Sequence, residues 1–150
     1  MISENDRTSF RTGSLHTTGR INGRIGEILN WQYRVSYGWN RLDADEQVNR
    51  KLEQWCHSFA MTVVPVTRVN VQLAGEYYRN EVSENIFKDI VLLDAKCSYT
   101  LTPHTELSAT LMNVFNRKKY SYTIYGQLSS VEHYRRIRGR EFLLNLYVKL

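Results

Sequence analysis

The sequence lacks any long apolar run. No stretch of about 18 consecutive apolar residues occurs in its 150 residues, which excludes a transmembrane helix. Residues 1–20 have no apolar central stretch and no small-residue cleavage site, so the sequence predicts no secretory signal peptide. Only two prolines occur, whereas tyrosine (10) and threonine are plentiful, a composition that is ordinary for a β-rich protein. A membrane protein that crosses with alternating strands is not excluded, because its hydropathy averages out to polar.

The residues for a catalytic or metal site are also missing. Two cysteines, Cys56 and Cys97, are too few for a disulfide framework or a zinc site, and the strand register predicted below places them on opposite faces. The histidines are widely separated surface or strand-end residues without metal-ligand spacing: His16, His57, His104 and His133. No nucleophile elbow and no phosphate-cradling glycine loop occurs. We therefore predict no enzyme, no metal and no cofactor.

The formal net charge of +5 is dispersed except for basic clusters at 117–119 and 135–140. With the neighbouring tyrosines these clusters offer one route to nucleic-acid binding by charge and stacking. No recognised nucleic-acid motif accompanies them, so we favour a solvated loop and predict no nucleic-acid partner.

The segment 139–150 alternates strictly between apolar and polar residues. Its apolar positions are Phe142, Leu144, Leu146, Val148 and Leu150. The opposite face carries Glu141, Asn145, Tyr147 and Lys149, with Leu143 as the one apolar exception. This period of two predicts a strand with one apolar and one polar face.

The same alternation recurs upstream. It is found in the segments 15–25, 31–40, 58–63, 69–77, 93–101 and 106–116. The clearest case is the series Trp31, Tyr33, Val35, Tyr37 and Trp39, in which aromatic residues at both ends resemble the interfacial girdles of a lipid-facing strand. Most of these segments have close to the 9–11 residues that a tilted strand needs to cross a bilayer.

The connections are predicted to alternate in length. Residues 26–30, 65–68 and 102–105 read as tight turns, two of which contain the prolines Pro65 and Pro103. Residues 42–53, 81–89 and 117–139 read as long polar loops, and this asymmetry is typical of outer-membrane barrels. Residues 43–56 also have a capping-box pair and helical spacing, which predicts a short helix in one outer loop or, alternatively, the helix of a soluble α+β domain.

These patterns predict an all-β fold. Its core is an antiparallel up-and-down meander of about seven strands over residues 14–150, a partial outer-membrane barrel, preceded by a loop or disordered segment at 1–13.

The run Asn113-Val-Phe-Asn-Arg-Lys-Lys-Tyr120 resembles the Asn-Leu-Phe-Asn/Asp-Lys-Lys-Tyr run near the end of TonB-dependent receptors. The phrases 93–95, 106–111 and 138–144 are similar to that family too, so the resemblance covers the chain from about residue 93 onward. The positions that match the motif are Asn113, Phe115, Asn116 and Tyr120. In physical terms, Phe115 is suited to anchoring the chain at a membrane interface. The side chains of Asn113 and Asn116 are suited to hydrogen bonding with backbone groups that lose their partners where a strand ends.

The resemblance implies that the chain is the C-terminal segment of a large transmembrane barrel. The intact receptor would lie in the cell outer membrane and import a nutrient ligand with energy from the TonB system. The implied partners are outer-membrane lipid, the remainder of the barrel and its plug, and the TonB system through an N-terminal part that this sequence does not contain. Seven strands do not close, so we expect no transport by the chain alone.

The resemblance also implies roles for residues on the polar face. Lumen-facing side chains would be Arg34, Glu76, Asp94, Lys96 and Lys149, together with Arg20 and Arg24. The loop 117–139 would be the external, ligand-facing part. The alternative is a soluble antiparallel β-protein that binds a ligand or partner on its apolar face.

Overall fold

The computed structural model describes residues 10–44, 48–125 and 130–149, and the strands account for most of them. The strands are β1 Phe10–Ile25, β2 Leu29–Ala44, β3 Val48–Val66, β4 Val69–Ser83, β5 Ile86–Thr102, β6 Thr105–Met112, β7 Lys119–Tyr125, β8 Ser130–Arg136 and β9 Glu141–Val148. No helix occurs in these three ranges, so the predicted all-β fold is confirmed.

Seven of the strands form one antiparallel sheet in the order β1-β2-β3-β4-β5-β6-β9. Strands β7 and β8 form a separate hairpin that interrupts the meander between β6 and β9. Within the 106–116 segment, the part up to Met112 pairs with the last strand, as an up-and-down meander requires, since Leu107 lies opposite Leu146 and Leu111 opposite Phe142. Strands β1 and β9 form the two edges of the sheet, and no ladder joins them in the part of the chain that the structure describes.

The register gives the sheet two chemically different faces. Residues directly opposite each other in an antiparallel pair point to the same side. The row Ile21, Tyr33, Phe59, Gly75 and Leu93 defines what we call the apolar face. The row Arg20, Arg34, Ser58, Glu76 and Leu92 defines the polar face. The predicted apolar positions within the regular ladders of the seven strands lie on the apolar face. Phe115 is an exception, because β6 ends at Met112.

The helix predicted at 43–56 is wrong. Strand β2 runs to Ala44 and β3 begins at Val48, and their ladder closes with Ala44 opposite Val48. The long loops predicted at 42–53 and 81–89 are wrong for the same reason, because β4 and β5 are separated only by residues 84–85. These segments are rich in polar and charged residues because they extend past the uncharged part of the sheet. Their composition therefore resembles that of a loop, although the backbone of the described residues is paired.

Three further boundaries differ from the sequence pattern. Strand β1 begins at Phe10 rather than after residue 13, and the predicted loop 117–139 contains the β7–β8 hairpin. Pro65 lies inside β3, where the register shifts between Val63 and Val66, and such an irregularity accepts a residue without a backbone donor. Residues 1–9 lie outside the described ranges.

The tight turns at one end of the sheet are confirmed. They consist of residues 26–28, 67–68 and 103–104, and Gly26 has a φ of 56° in the left-handed region that glycine accepts without strain. At the other end Asn85, with a φ of 59°, turns β4 into β5. Among the described residues, no helix has the length and apolarity that crossing a membrane requires.

Candidate membrane-facing surface and the turn at Asn113

The apolar face carries an uncharged band across all seven strands. It covers residues 15–25, 29–39, 55–63, 69–77, 91–99, 105–111 and 142–148. On this face no Asp, Glu, Lys or Arg occurs within those ranges. The five stretches in β1–β5 are each about 9–11 residues long, the length that a tilted strand needs to cross a bilayer.

Side chains of this band are open to the surroundings. Phe142 is 66% exposed, and Leu144 and Leu146 are each 63% exposed. Ile21 at the opposite edge is 62% exposed. No second sheet or helix covers the band among the described residues. An uncovered apolar surface of this width is unusual for a soluble monomer and indicates an apolar environment or partner.

Aromatic side chains cluster towards one end of the band. Tyr37 and Trp55 have ring centroids 4.4 Å apart, and Trp55 stacks on His57 at 6.0 Å. Tyr77 lies beyond His57 at 5.7 Å. The hydroxyl of Tyr33 lies 2.6 Å from His57 Nδ1, so the imidazole has a polar partner on this face. Rings with polar tips at the edge of an apolar band are typical of a membrane interface.

The predicted girdle residues Trp31, Tyr33, Tyr37 and Trp39 all lie on the apolar face. Trp31 and Trp39 are about 26 Å apart along β2 at roughly 3.3 Å per residue. Both indoles pack on glycines of β1. A Cβ added to Gly23 would lie 2.6 Å from Trp31 Nε1, and one added to Gly13 would lie 3.4 Å from Trp39 Cζ3.

The apolar face becomes charged beyond Trp39. Arg41 Nε donates to Asp43 Oδ1 at 2.8 Å, and Lys51 Nζ donates to Glu53 Oε1 at 2.6 Å. The hydrogen bond with the Glu53 carboxylate raises the pKa of Lys51 above its usual value. On β2 and β3 the uncharged band therefore ends at Trp39 and Trp55, where these charged pairs begin.

Four of the five predicted lumen-facing residues lie on the polar face by register. They are Arg34, Glu76, Asp94 and Lys96. Glu76 accepts a hydrogen bond from the Tyr78 hydroxyl at 2.9 Å. Lys149 follows the last residue of β9, and its backbone N–H donates to the His104 carbonyl at 2.8 Å. Leu150, predicted as lipid-facing, lies outside the described residues.

The run Asn113–Tyr120 begins with the turn that ends β6. Asn113 and Asn116 have φ values of 49° and 52°, in the left-handed region that asparagine tolerates better than most residues. The backbone N–H of Asn113 donates to Asp94 Oδ1 at 2.7 Å, and the N–H of Val114 donates to the Leu93 carbonyl at 2.8 Å. The turn is therefore fixed to β5.

The Asn113 side chain connects the turn to the segments just before and just after the β7–β8 hairpin. Its Nδ2 donates to the carbonyls of Arg117 and Arg138, both at 2.7 Å, and its Oδ1 accepts from the Arg117 N–H at 2.9 Å. Asn116 Oδ1 accepts from the Arg140 N–H at 3.0 Å. Asn113 is only 7% exposed. The two asparagines therefore bond to backbone groups where β6 ends, as the sequence predicts. Phe115 lies in the same turn and is 49% exposed.

The β7–β8 hairpin packs against the polar face through Tyr120, the last residue of the run 113–120. Asn80 Nδ2 donates to the Tyr120 hydroxyl at 3.1 Å, and the Tyr120 ring meets Tyr78 edge-on at 5.6 Å. Tyr122 and His133 stack within the hairpin at 5.1 Å. The described residues of the basic, tyrosine-rich segment therefore form a hairpin that packs on the sheet rather than an irregular loop.

A cavity of about 420 Å³ lies between the base of the hairpin and the polar face. Its lining includes Leu92, Ile137 and Leu143, with Glu76 and Asp94 on the sheet side. Leu143, the one apolar exception of its strand, is therefore placed against other apolar side chains.

Sequence reasoning missed several residues of this arrangement. The sequence pattern predicts a helix that includes Trp55, although the series Trp55, His57, Phe59, Met61 and Val63 continues the strand alternation and identifies Trp55 as a residue of β3. Glu81, 6% exposed, was placed in a loop, yet its carboxylate accepts the N–H groups of Glu53 at 3.0 Å and Asn85 at 2.8 Å. No sequence pattern announces such a strand-end acceptor.

Comparison with known proteins adds no relative. A scan against protein-family models, a search of curated proteins and a search of solved structures found no match to this chain. Within the described ranges, no group of three or more His, Cys, Asp or Glu side chains has the arrangement to hold a metal ion.

Proposed function

We propose that the chain forms the C-terminal wall of a TonB-dependent-receptor-like barrel in the outer membrane. The observation that carries the proposal is the uncharged band of the apolar face, which is continuous over seven strands, open to the surroundings and of membrane-crossing length on β1–β5. The polar face would line the interior, and the intact barrel would import a nutrient ligand.

The open sheet supports a wall rather than a complete barrel. Strands β1 and β9 each present an edge of unpaired backbone groups, and in lipid each such group costs several kcal/mol. In an up-and-down sheet with an odd number of strands, β1 and β9 run in the same direction. Antiparallel partners from the rest of the parent barrel would satisfy both edges, which favours a larger parent over closure of the sheet on itself.

The Asn113 turn supports the resemblance to the receptor family. Its residues satisfy the end of β6, anchor both ends of the hairpin and lead the chain into β9. A turn that holds both ends of a long external loop together would be needed wherever such a loop precedes the last strand of a barrel.

Tryptophan fluorescence tests the proposal, because all three tryptophans, Trp31, Trp39 and Trp55, lie on the apolar face. The chain would be reconstituted in bilayers whose acyl chains carry bromine, a quencher confined to the hydrocarbon. We expect strong quenching by bromolipid and weak quenching by aqueous acrylamide. A chain that remains in solution with acrylamide-accessible tryptophans would support the soluble antiparallel β-protein instead.

A further inference from the structure

The polar face of β1–β3 is cationic. It carries Arg20, Arg24 and Arg34 among hydroxyl and amide side chains. These three strands contain only two acidic residues in the described ranges, Asp43 and Glu53. Both acids lie on the apolar face, where they pair with Arg41 and Lys51 respectively. The three arginines therefore have no carboxylate beside them on their own side of these strands.

Arg20 and Arg34 lie directly opposite each other across β1 and β2. Like charges at such a position destabilise a sheet. Arg34 Nε is buried and has no hydrogen-bond partner. Further along the same row the nearest carboxylate is that of Glu76, two strands from Arg34 at about 9.6 Å in strand spacing. A buried guanidinium donor without an acceptor is costly, and two facing arginines increase that cost.

Neutral donors surround the two guanidinium groups. Thr18 and Ser36 form the adjacent row, with their hydroxyl oxygens 3.0 Å apart, and Ser58 lies opposite Arg34 on β3. Guanidinium groups bind carboxylate and phosphate oxygens through two parallel N–H bonds, and hydroxyls add further donors. The arrangement has donors for an anion and no carboxylate on this face of the three strands that would repel one.

We propose that the polar face of β1–β3 binds an oxyanion between Arg20 and Arg34, supplied as the phosphate or carboxylate group of a small ligand. The proposal rests on the proposed function insofar as it takes the polar face to be the water-filled interior of the barrel. It assigns an anionic class to the ligand that would pass along this wall. Rings of arginine and lysine serve this purpose in anion-selective pores.

The test measures binding of inorganic phosphate and of citrate to the full chain in lipid nanodiscs by calorimetry. Arg34→Gln and Arg20→Gln should each weaken binding about tenfold, because each removes a charge-assisted contact. Arg34→Lys keeps the positive charge but loses the pair of parallel N–H donors of the guanidinium, so its affinity should lie between those of the unaltered chain and of Arg34→Gln. Arg79→Gln, on the apolar face, is the matched control and should bind as the unaltered chain does.

The two ligands identify the group that is bound. Equal losses with phosphate and citrate support a site for oxyanions in general, and a loss with only one of them supports a site for that group. Unchanged binding in both arginine variants overturns the proposal, as does an equal loss in Arg79→Gln.

Failure of this inference is distinguishable from failure of the proposed function. A chain that inserts in bilayers but binds neither anion overturns the anion site alone. A chain that binds them in aqueous solution through Arg20 and Arg34 without inserting supports the site and contradicts the membrane proposal.

Discussion

Asp94 accepts a hydrogen bond from the backbone N–H of Asn113 at 2.7 Å. The contact joins a residue of the polar face to the first residue of the turn that follows β6. Asn113 in turn donates to the Arg138 carbonyl, close to the start of β9. The end of β6, the base of the hairpin and the entry to the last described strand are thus held at one point.

Replacing Asn113 by alanine should destabilise the sheet by about 1–3 kcal/mol, because the change removes the donors of two part-buried hydrogen bonds, those to the carbonyls of Arg117 and Arg138. Urea unfolding of the chain in detergent measures the loss. Asn30→Ala, in an exposed strand position, is the control and should cost far less. Equal effects of the two substitutions would mean that the Asn113 network contributes nothing.

Gly23→Ala should displace the Trp31 indole, since the new Cβ would lie 2.6–2.8 Å from three of its ring atoms. We expect a loss of about 1–3 kcal/mol and a changed emission maximum in a chain whose other two tryptophans are phenylalanine. Gly19→Ala is matched to it, because its Cβ would meet Val35 Cγ1 at an ordinary 3.6 Å. Identical spectra for the two variants would show that the indole does not rest on Gly23.

Tyr120→Phe should loosen the hairpin from the sheet. It removes the acceptor of Asn80 Nδ2, and Asn80 is only 4% exposed. The expected cost is about 1–2 kcal/mol, seen as faster hydrogen exchange of the β7 and β8 amides. Tyr147→Phe, at a 68% exposed position, should leave that exchange unchanged. Unaltered protection in Tyr120→Phe would mean that this hydroxyl does not hold the hairpin against the sheet.

On the proposed function, the chain alone should not restore ligand uptake when it is expressed, with an export signal attached, in a strain that lacks the proposed parent receptor. An open seven-stranded sheet encloses no pore. Uptake above that of the empty strain would contradict the expectation. The matched measurement is uptake by the intact receptor in the same strain.

The two-faced sheet was predictable from the sequence because a period of two fixes which side chains share a face, as the row from Ile21 to Leu93 shows. The ends of the strands were not predictable. Residues 48–53 and 81–83 are mostly polar or charged, so their composition resembles that of a loop although their backbone is paired in the sheet. The roles of Asp94 and Glu81 depend on distant backbone donors, which local patterns do not reveal.

The two native cysteines provide the most direct test of the membrane-facing surface. Cys97 lies exposed on the apolar face, between Val71 and Ala109, and Cys56 lies on the polar face beside Tyr78. The Cys56→Ser variant keeps only Cys97, and the Cys97→Ser variant keeps only Cys56. For each variant, the rate at which the remaining thiol reacts with a charged maleimide would be measured in bilayers and divided by its rate in the urea-unfolded chain. We predict that lipid shields Cys97 strongly while Cys56 keeps reacting from the aqueous side. A Cys97 that reacts in bilayers as fast as in urea would contradict the proposal that this face lies against lipid.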